Sequence, residues 1–301
     1  MVSTKNKFKS IAIYSSLKDS KVLHLANQIV EVLSNLDIEC VFPNSSQITS
    51  SMKKRGLSDK NVVKQCDLVI AIGGDGTLLT SARNFGVFGV PILGINLGNL
   101  GFLTDIQPSN MTADLTKIIK GEYIKDQRIF LEARIGEDKT KYKALNEVVL
   151  HSGSIAQLIE YDLFINDEFV YRQRADGLIV STSTGSTAYS LSGNGPIISP
   201  ELNALILLPM FPHSLNARTL VTSDNSEIRL KVADKSKAYL SMDSHMNMRV
   251  SSRNDVYIKK ANEGLTLIHP TDHSFFSSCR NKLGWSLGAV SYTHLRAHET
   301  V

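Results

Sequence analysis

The sequence predicts an α/β N-terminal domain built on an open parallel sheet, followed by a mostly-β, sandwich-like C-terminal domain. Three observations carry this. Over the first 122 residues, short buried-type apolar runs alternate with helical periodicities, the signature of a parallel sheet with helices on its faces. From Tyr123 to His269, β-type runs follow one another, split by Gly, Asn, Asp and Ser, as in a sandwich. The chain has 301 residues, 42% of them hydrophobic, enough for two cores.

The elements follow in order. Ile11-Ala12-Ile13-Tyr14 reads as a short buried strand. Val22, Ala26, Ile29, Leu33 and Leu36 then recur at three- and four-residue steps, one face of a helix. A second strand over 38–42 ends at Pro43, and the polar stretch 44–59 reads as a loop. Leu68 to Ile72 and Val90 to Ile95 are buried strands, each β-rich and short, and a helix is expected to begin at Thr77. A further helix covers Met111 to Ile119 and stops near Gly121. This half is Rossmann-like in pattern. In the second half the expected strands are 129–135, 144–151, 161–165, 177–181, 226–232, 238–242, 256–260 and 265–269. The reading therefore assigns 1–122 to one domain and 123–269 to the other, with Trp285 packed as an aromatic at the chain's end. Residues 288–301 lack periodicity, resemble translated adapter sequence, and are set apart as a non-native tail.

Gly73-Gly74-Asp75-Gly76-Thr77 stands where the strand ending at Ile72 runs out. Glycines leave the backbone free to approach a ligand closely. N–H groups at the start of a helix receive phosphate oxygens. Gly73, Gly74, Gly76 and Thr77 are thus candidate phosphate-donor contacts. Asp75 is the unexpected member, because a carboxylate among phosphates repels them unless it serves as a base or a metal ligand. The plain alternative is a tight turn with Asp as a cap. No G-x-x-x-x-G-K-[ST] loop occurs.

Composition narrows the classes. The net charge is +4 and no compact Lys/Arg block occurs, Lys53-Lys54-Arg55 being the densest run, so no nucleic-acid partner is expected. The mild positive balance suits anionic small molecules. Cys40, Cys66 and Cys279 match no metal-ligand spacing and no disulfide framework. No metal cage is expected. With no signal-like N-terminus and no long apolar run, the expectation is a cytoplasmic protein without membrane partners.

Two further stretches carry information. Asn146-Glu147 interrupts the apolar run Ala144 to Leu150, and both side chains need partners if buried. A bulge or a solvent-exposed strand end is the alternative. Arg174-Ala175-Asp176 then leads into 181–190, where seven of ten residues carry a small hydroxyl side chain. Hydroxyls with one aromatic face suit a ribose and a base better than a core, a Ser/Thr-rich linker being the other reading.

On these residues the chain resembles the NAD kinase family from about Lys9 to Ser286. The match includes Gly73 to Thr77, the stretch Asn96 to Asp105, Asn146-Glu147, the stretch Asp176 to Ser190, and Pro209-Met210-Phe211-Pro212-His213. The Gly-Gly-Asp-Gly run alone is shared with diacylglycerol, sphingosine and phosphofructokinases, whereas the Asn-Glu pair with the hydroxyl stretch is specific, and the second domain resembles the proteobacterial branch. The resemblance implies ATP and NAD as substrates, a divalent ion such as Mg²⁺, a dimer or tetramer, and Asp75 as the general base acting on the adenosine 2′-hydroxyl. It implies an NAD site formed by Asp75, Gly76, Asn146, Glu147, Gln157, Arg174, Asp176, Thr187, Ala188, Tyr189, Ser190, Leu191, Ser192 and His245. It also implies that the segment 270–287 returns to complete the first domain. A lipid or sugar kinase of the same superfamily and a non-catalytic NAD-sensing module are the rival readings.

Overall fold

A computed structural model describes residues 6–48, 56–98, 101–154, 157–234 and 236–285. The N-terminal elements are β1 (Ser10–Tyr14), α1 (Ser20–Asn35), β2 (Glu39–Pro43), β3 (Gly56–Leu57), α2 (Asp59–Gln65), β4 (Leu68–Ile72), α3 (Asp75–Asn84), β5 (Ile92–Ile95) and α4 (Met111–Ile119). Strands β5, β4, β1, β2 and β3 lie side by side and all pair in parallel. Along β1, Ile11 and Ile13 join the core under α1 and α4, while Ala12 and Tyr14 join the core beneath α3. Burial on both faces is why these strands read as unbroken apolar runs.

The second half comprises β6 (Ile124–Ile135), β7 (Tyr142–Ala144), β8 (Glu147–His151), β9 (Ile159–Ile165), β10 (Glu168–Ala175), β11 (Gly177–Thr182), the short α5 (Tyr189–Ser192), β12 (Ala204–Met210), β13 (Leu220–Ser223), β14 (Ile228–Val232), β15 (Ala238–Met242), β16 (Met246–Val250), β17 (Val256–His269) and α6 (Phe275–Leu283). Six strands, in the order β13-β12-β11-β8-β15-β16, form an antiparallel sheet. Val148, Leu150, Leu178, Val180 and Leu240 on its inner face pack against Leu131, Tyr161, Leu163, Leu230 and Ile258 of the opposing strands. That is the sandwich.

The two halves share a strand. β17 pairs along its length with β6, its start pairs with β14, and Leu267 and Ile268 pair in parallel with Ile92 and Leu93 of β5. The parallel sheet and one layer of the sandwich are consequently one continuous sheet.

Several expectations need correction. α3 starts at Asp75 rather than Thr77. α2 and β3 lie at the edge of the expected 44–59 loop, and residues 49–55 fall outside the described residues. The 144–151 run is two strands, broken at Leu145-Asn146, while 256–260 and 265–269 are one strand with a register shift between Lys260 and Gly264. β10, β12, β13 and β16 had no counterpart in the sequence reading. Trp285 is 56% exposed, so the aromatic expected to be packed at the chain's end is not the anchor there; Ser278 and Cys279 of α6 are the buried residues. The proposed tail 288–301 lies outside the described residues.

Candidate active site

β4 is flanked by β1 and β5. The connection from β1 leads to β2 on one side and that from β4 leads to β5 on the other. Ligands of open α/β sheets settle at this kind of switch point, beyond the carboxyl ends of the strands. The glycine loop occupies it. Gly73 has φ +152°, and a Cβ there would lie 2.4 Å from Thr77 Oγ1. Its N–H donates to Ile95 O at 2.9 Å, tying the loop to β5. A Cβ on Gly74 or Gly76 would meet nothing within 4 Å. The outer face of the loop is open where a phosphate would approach. Thr77 is different: its side chain is buried and its hydroxyl pairs with the Ser16 hydroxyl at 2.8 Å, bracing the loop against the end of β1.

Asp75 opens α3. Its carboxylate accepts from the N–H groups of Phe102 (3.0 Å) and Leu103 (3.1 Å) and from Thr104 Oγ1 (3.4 Å). A Cβ on Gly101 would fall 2.1 Å from Asp75 Oδ1, so glycine there permits the close approach. From α6, Lys282 Nζ lies 3.9 Å from Asp75 Oδ2 and 5.2 Å over the Phe102 ring. The carboxylate stays part-exposed, oriented by donors and faced by Lys282.

The second constellation is built around a residue the sequence reading passed over. Asp243 and Ser244 adopt φ of 42° and 56° in the β15–β16 hairpin. The buried Asp243 carboxylate accepts from the N–H groups of Leu145 (2.9 Å), Asn146 (2.8 Å) and Glu147 (3.2 Å). This is how a strand can break there without orphaning its backbone. Asn146 and Glu147 are both buried, and Glu147 Oε2 has no partner among the described residues. Burial, reinforced by the nearby Asp243 charge and opposed by the Tyr189 backbone N–H, pushes the Glu147 carboxyl up to about 8. Without ligand it is a neutral acid, able to donate as well as accept.

Arg83 on α3 links the two constellations. Burial lowers its pKa while Asp243 raises it. His245, exposed beyond the hairpin turn, has its pKa lowered by partial burial and by Arg83, with Asp243 opposing. Helix α3, which Asp75 opens, is therefore a neighbour of the β15–β16 turn whose Asp243 holds the backbone of Asn146 and Glu147.

The hydroxyl run is used differently from the expectation. Ser181 and Thr182 donate to Asn146 O at 3.2 and 3.3 Å, and Thr182 also to Leu145 O at 2.7 Å. Ser183 donates to Leu202 O, Ser186 to Ile198 O, Thr187 to Thr184 O, and Thr184 accepts from Arg128. Most of the hydroxyls are consumed inside the protein. Their work is to fold a 3₁₀ turn, 184–187, onto the backbone of Asn146, where a Cβ on Gly185 would meet Asn146 O at 2.2 Å. What remains outward is α5. Tyr189 is 41% exposed and lines a cavity of about 460 Å³ with Asp176, Ser152, Ser241, Ser244 and Asn247. Ser190 is buried with its hydroxyl unpartnered among the described residues. Ala188 and Leu191 are half-buried and Ser192 is exposed.

Gln157 and Arg174 are not drawn in. Both are exposed and neither side chain makes a hydrogen bond or ion pair among the described residues; Arg174 contributes its carbonyl to the His213 N–H at 2.9 Å. The sequence reading missed Asp243, Arg83 and Lys282. Asp243 left one signal, an Asp-Ser pair between two strands, which is turn chemistry tolerant of positive φ.

Residues 11–123 match the family model of the ATP-NAD kinase N-terminal domain, and residues 145–270 that of the ATP-NAD kinase C-terminal domain. The chain belongs to the NAD kinase family. The NAD kinase of Marinobacter nauticus is 41% identical over 93% of this chain and 98% of its own length. That of Pseudoalteromonas translucida is 45% identical over 80% and 83% respectively. Among solved structures, an Archaeoglobus fulgidus NAD kinase in complex with ATP superposes with a TM-score of 0.73 at 25% identity, covering 90% of this chain and 99% of that one. Yeast NADH kinase complexed with NADH gives 0.82 at 24% identity over 95% and 90%, a likeness of fold. The NAD kinase reading is thereby favoured over the lipid- or sugar-kinase and sensor readings. No helix among the described residues is long and apolar enough to cross a membrane.

Proposed function

We propose that the chain transfers the γ-phosphoryl group of ATP to the 2′-hydroxyl of the adenosine ribose of NAD, giving NADP and ADP, with Asp75 as general base. One observation carries this: an oriented, part-exposed Asp75 carboxylate stands in an open glycine loop at the switch point of the parallel sheet. The 2′-oxygen bonds to the γ-phosphorus as the bond from phosphorus to the β,γ-bridging oxygen breaks. The hydroxyl proton passes to Asp75 and ADP leaves. Such transfer is mostly positioning and charge stabilisation. The backbone of Gly73 to Gly76 and the α3 N-terminus receive the donor phosphates, with Lys282 and Arg83 supplying positive charge. Asn146 and Glu147 take hydroxyls or base edges of NAD, Tyr189 offers an aromatic face, and Asp176, Thr187 to Ser192 and His245 complete the acceptor site. Gln157 and Arg174 join it on the family resemblance alone.

Both Asp75 oxygens are occupied by donors from 102–104, so the loop offers no cage for a hard cation. Mg²⁺ would come with the ATP phosphates, and the chemistry it would supply is neutralisation of their charge. In this reading residues 1–122 with 270–287 handle the donor and 123–269 the acceptor. Phe211 and Leu215, 79% and 92% exposed, support assembly into a dimer or tetramer, and the free thiols of Cys66 and Cys279 support a cytoplasmic setting. The test is NADP formation by Asp75→Asn. The chemical step should fall by about 10²–10⁴ with NAD affinity little changed. Near-normal turnover in a folded variant would remove Asp75 from the mechanism.

A further inference from the structure

Behind the active site, three segments distant in sequence converge on one point. Asp105 follows β5 and the loop that holds Asp75, His269 ends β17, and His273 lies in the turn before α6. His269 Nδ1 is 3.0 Å and His273 Nδ1 2.7 Å from the same oxygen, Asp105 Oδ2. The two imidazole rings stack with centroids 3.9 Å apart and planes 14° from parallel. One ligand-type atom from each of the three residues lies within 4.8 Å of the others.

We propose that Asp105, His269 and His273 form a binding site for a divalent transition metal of the Zn²⁺ or Co²⁺ class, separate from the nucleotide's Mg²⁺. The simpler arrangement is two imidazoles sharing one carboxylate by hydrogen bonds. It is wasteful here: two donors crowd Oδ2 while the sister oxygen, Asp105 Oδ1, is buried with no partner among the described residues. An unsatisfied buried carboxylate oxygen is costly. A cation taken by both Asp105 oxygens satisfies the whole carboxylate, and the two imidazoles turn out of their stacked arrangement so that each Nδ1 lone pair points at the ion from about 2.0–2.1 Å.

The surroundings are those of a metal-bound histidine. A ligating imidazole commonly gives its other N–H to a carboxylate, which fixes the ring. The buried His269 Nε2 has no hydrogen-bond partner among the described residues and stands 3.6 Å from Asp126 Oδ2, just short of such a bond, while Asp126 is held by Arg128 Nε at 2.8 Å. Two imidazoles and one carboxylate suit Zn²⁺ or Co²⁺ better than Mg²⁺. A cavity of about 590 Å³ reaches His273, Asp126, Arg128 and Glu201 from outside, giving an entry path and room for water as a fourth ligand. The ion would clip together the segments that position Asp75, since Thr104 bonds Asp75 and α6 carries Lys282.

The test uses the full chain, stripped with EDTA, desalted and free of nucleotide, titrated with Co²⁺. We expect one Co²⁺ per chain, a visible ligand-field spectrum of a tetrahedral ion, its loss on adding Zn²⁺, and a higher Tm with either metal. His273→Ala, at the mouth of the site, abolishes the spectrum and the Tm rise, and Asp105→Asn does the same should the first variant fold poorly. Asp126→Asn weakens the site by about 10–100-fold. Absence of stoichiometric Co²⁺ binding, or a spectrum that persists in both His273→Ala and Asp105→Asn, overturns the proposal and leaves a hydrogen-bonded imidazole pair.

Discussion

Replacing Glu147 with Gln probes the electrostatics of the empty acceptor site. The side chain is 3% exposed, its Oε2 lacks a partner among the described residues, and burial with the Asp243 charge moves its pKa from 4.5 to about 8. At 1.36 kcal/mol per tenfold change in acid strength, ionising it inside the fold costs ~5 kcal/mol, or ~2–5 once water enters the open cleft. The sign follows from the proton count. Between 4.5 and about 8 the folded chain keeps a proton that the unfolded chain has lost. The contribution to stability is complete below the lower value and is lost as pH rises to the upper one. Gln, neutral throughout, has no such dependence. Its amide brings a steady penalty of about 1–3 kcal/mol if one of its groups is left unpaired, so the slope with pH carries the information. Urea unfolding of both proteins, without nucleotide, at about pH 5 and about pH 8.5 measures it. The wild-type-minus-variant stability should fall by ~2–5 kcal/mol across that range. A difference constant to within about 0.5 kcal/mol would mean that Glu147 ionises normally in a wet cleft, and the account of the Asn-Glu pair would fail.

Three other outcomes can be checked. Gly73→Ala places a methyl 2.4 Å from Thr77 Oγ1 at a positive φ, so it should cost about 1–3 kcal/mol or more in thermal or urea unfolding. Gly76→Ala meets nothing in the protein and should leave Tm intact while raising KM for MgATP at least about tenfold, the mark of a loop shaped for a ligand; equal effects at the two positions would contradict it. An NAD analogue with 2′-deoxyadenosine should bind about 0.5–1.5 kcal/mol more weakly, or up to about 3 if the hydroxyl bonds charged Asp75, and yield no phosphorylated product by mass spectrometry. A chain ending at Leu287 should keep Tm and NADP formation, whereas one ending at Asn281 loses Lys282 and should turn over about tenfold more slowly, with only about 1 kcal/mol of stability lost because Trp285 is half-exposed. If the shorter cut harms the protein as much, residues 288–301 belong to the fold.

The parts of this protein legible in its sequence are those set by local chemistry. β4 and the glycine loop could be read because an apolar strand buried on both faces and a left-handed Gly73 each leave a mark within a few residues. α4 could be read from a single stripe of Met111, Leu115, Ile118 and Ile119. Edge strands such as β13 and β16, half-exposed and polar, carry no such mark, since a neighbour and not their own pattern makes them strands. The hydroxyl run shows the limit most plainly. Composition located it correctly between Asp176 and Pro196, but whether a hydroxyl meets a ribose or the Asn146 carbonyl depends on where a strand thirty-five residues away passes. Arg83 and Lys282 were invisible, and Asp243 was legible only as turn chemistry, for the same reason. A charged side chain acquires its role from the unpaired N–H groups or carboxylate it faces, and those partners, 98 residues from Asp243 in one case, are brought within 3 Å only when β15 pairs beside β8.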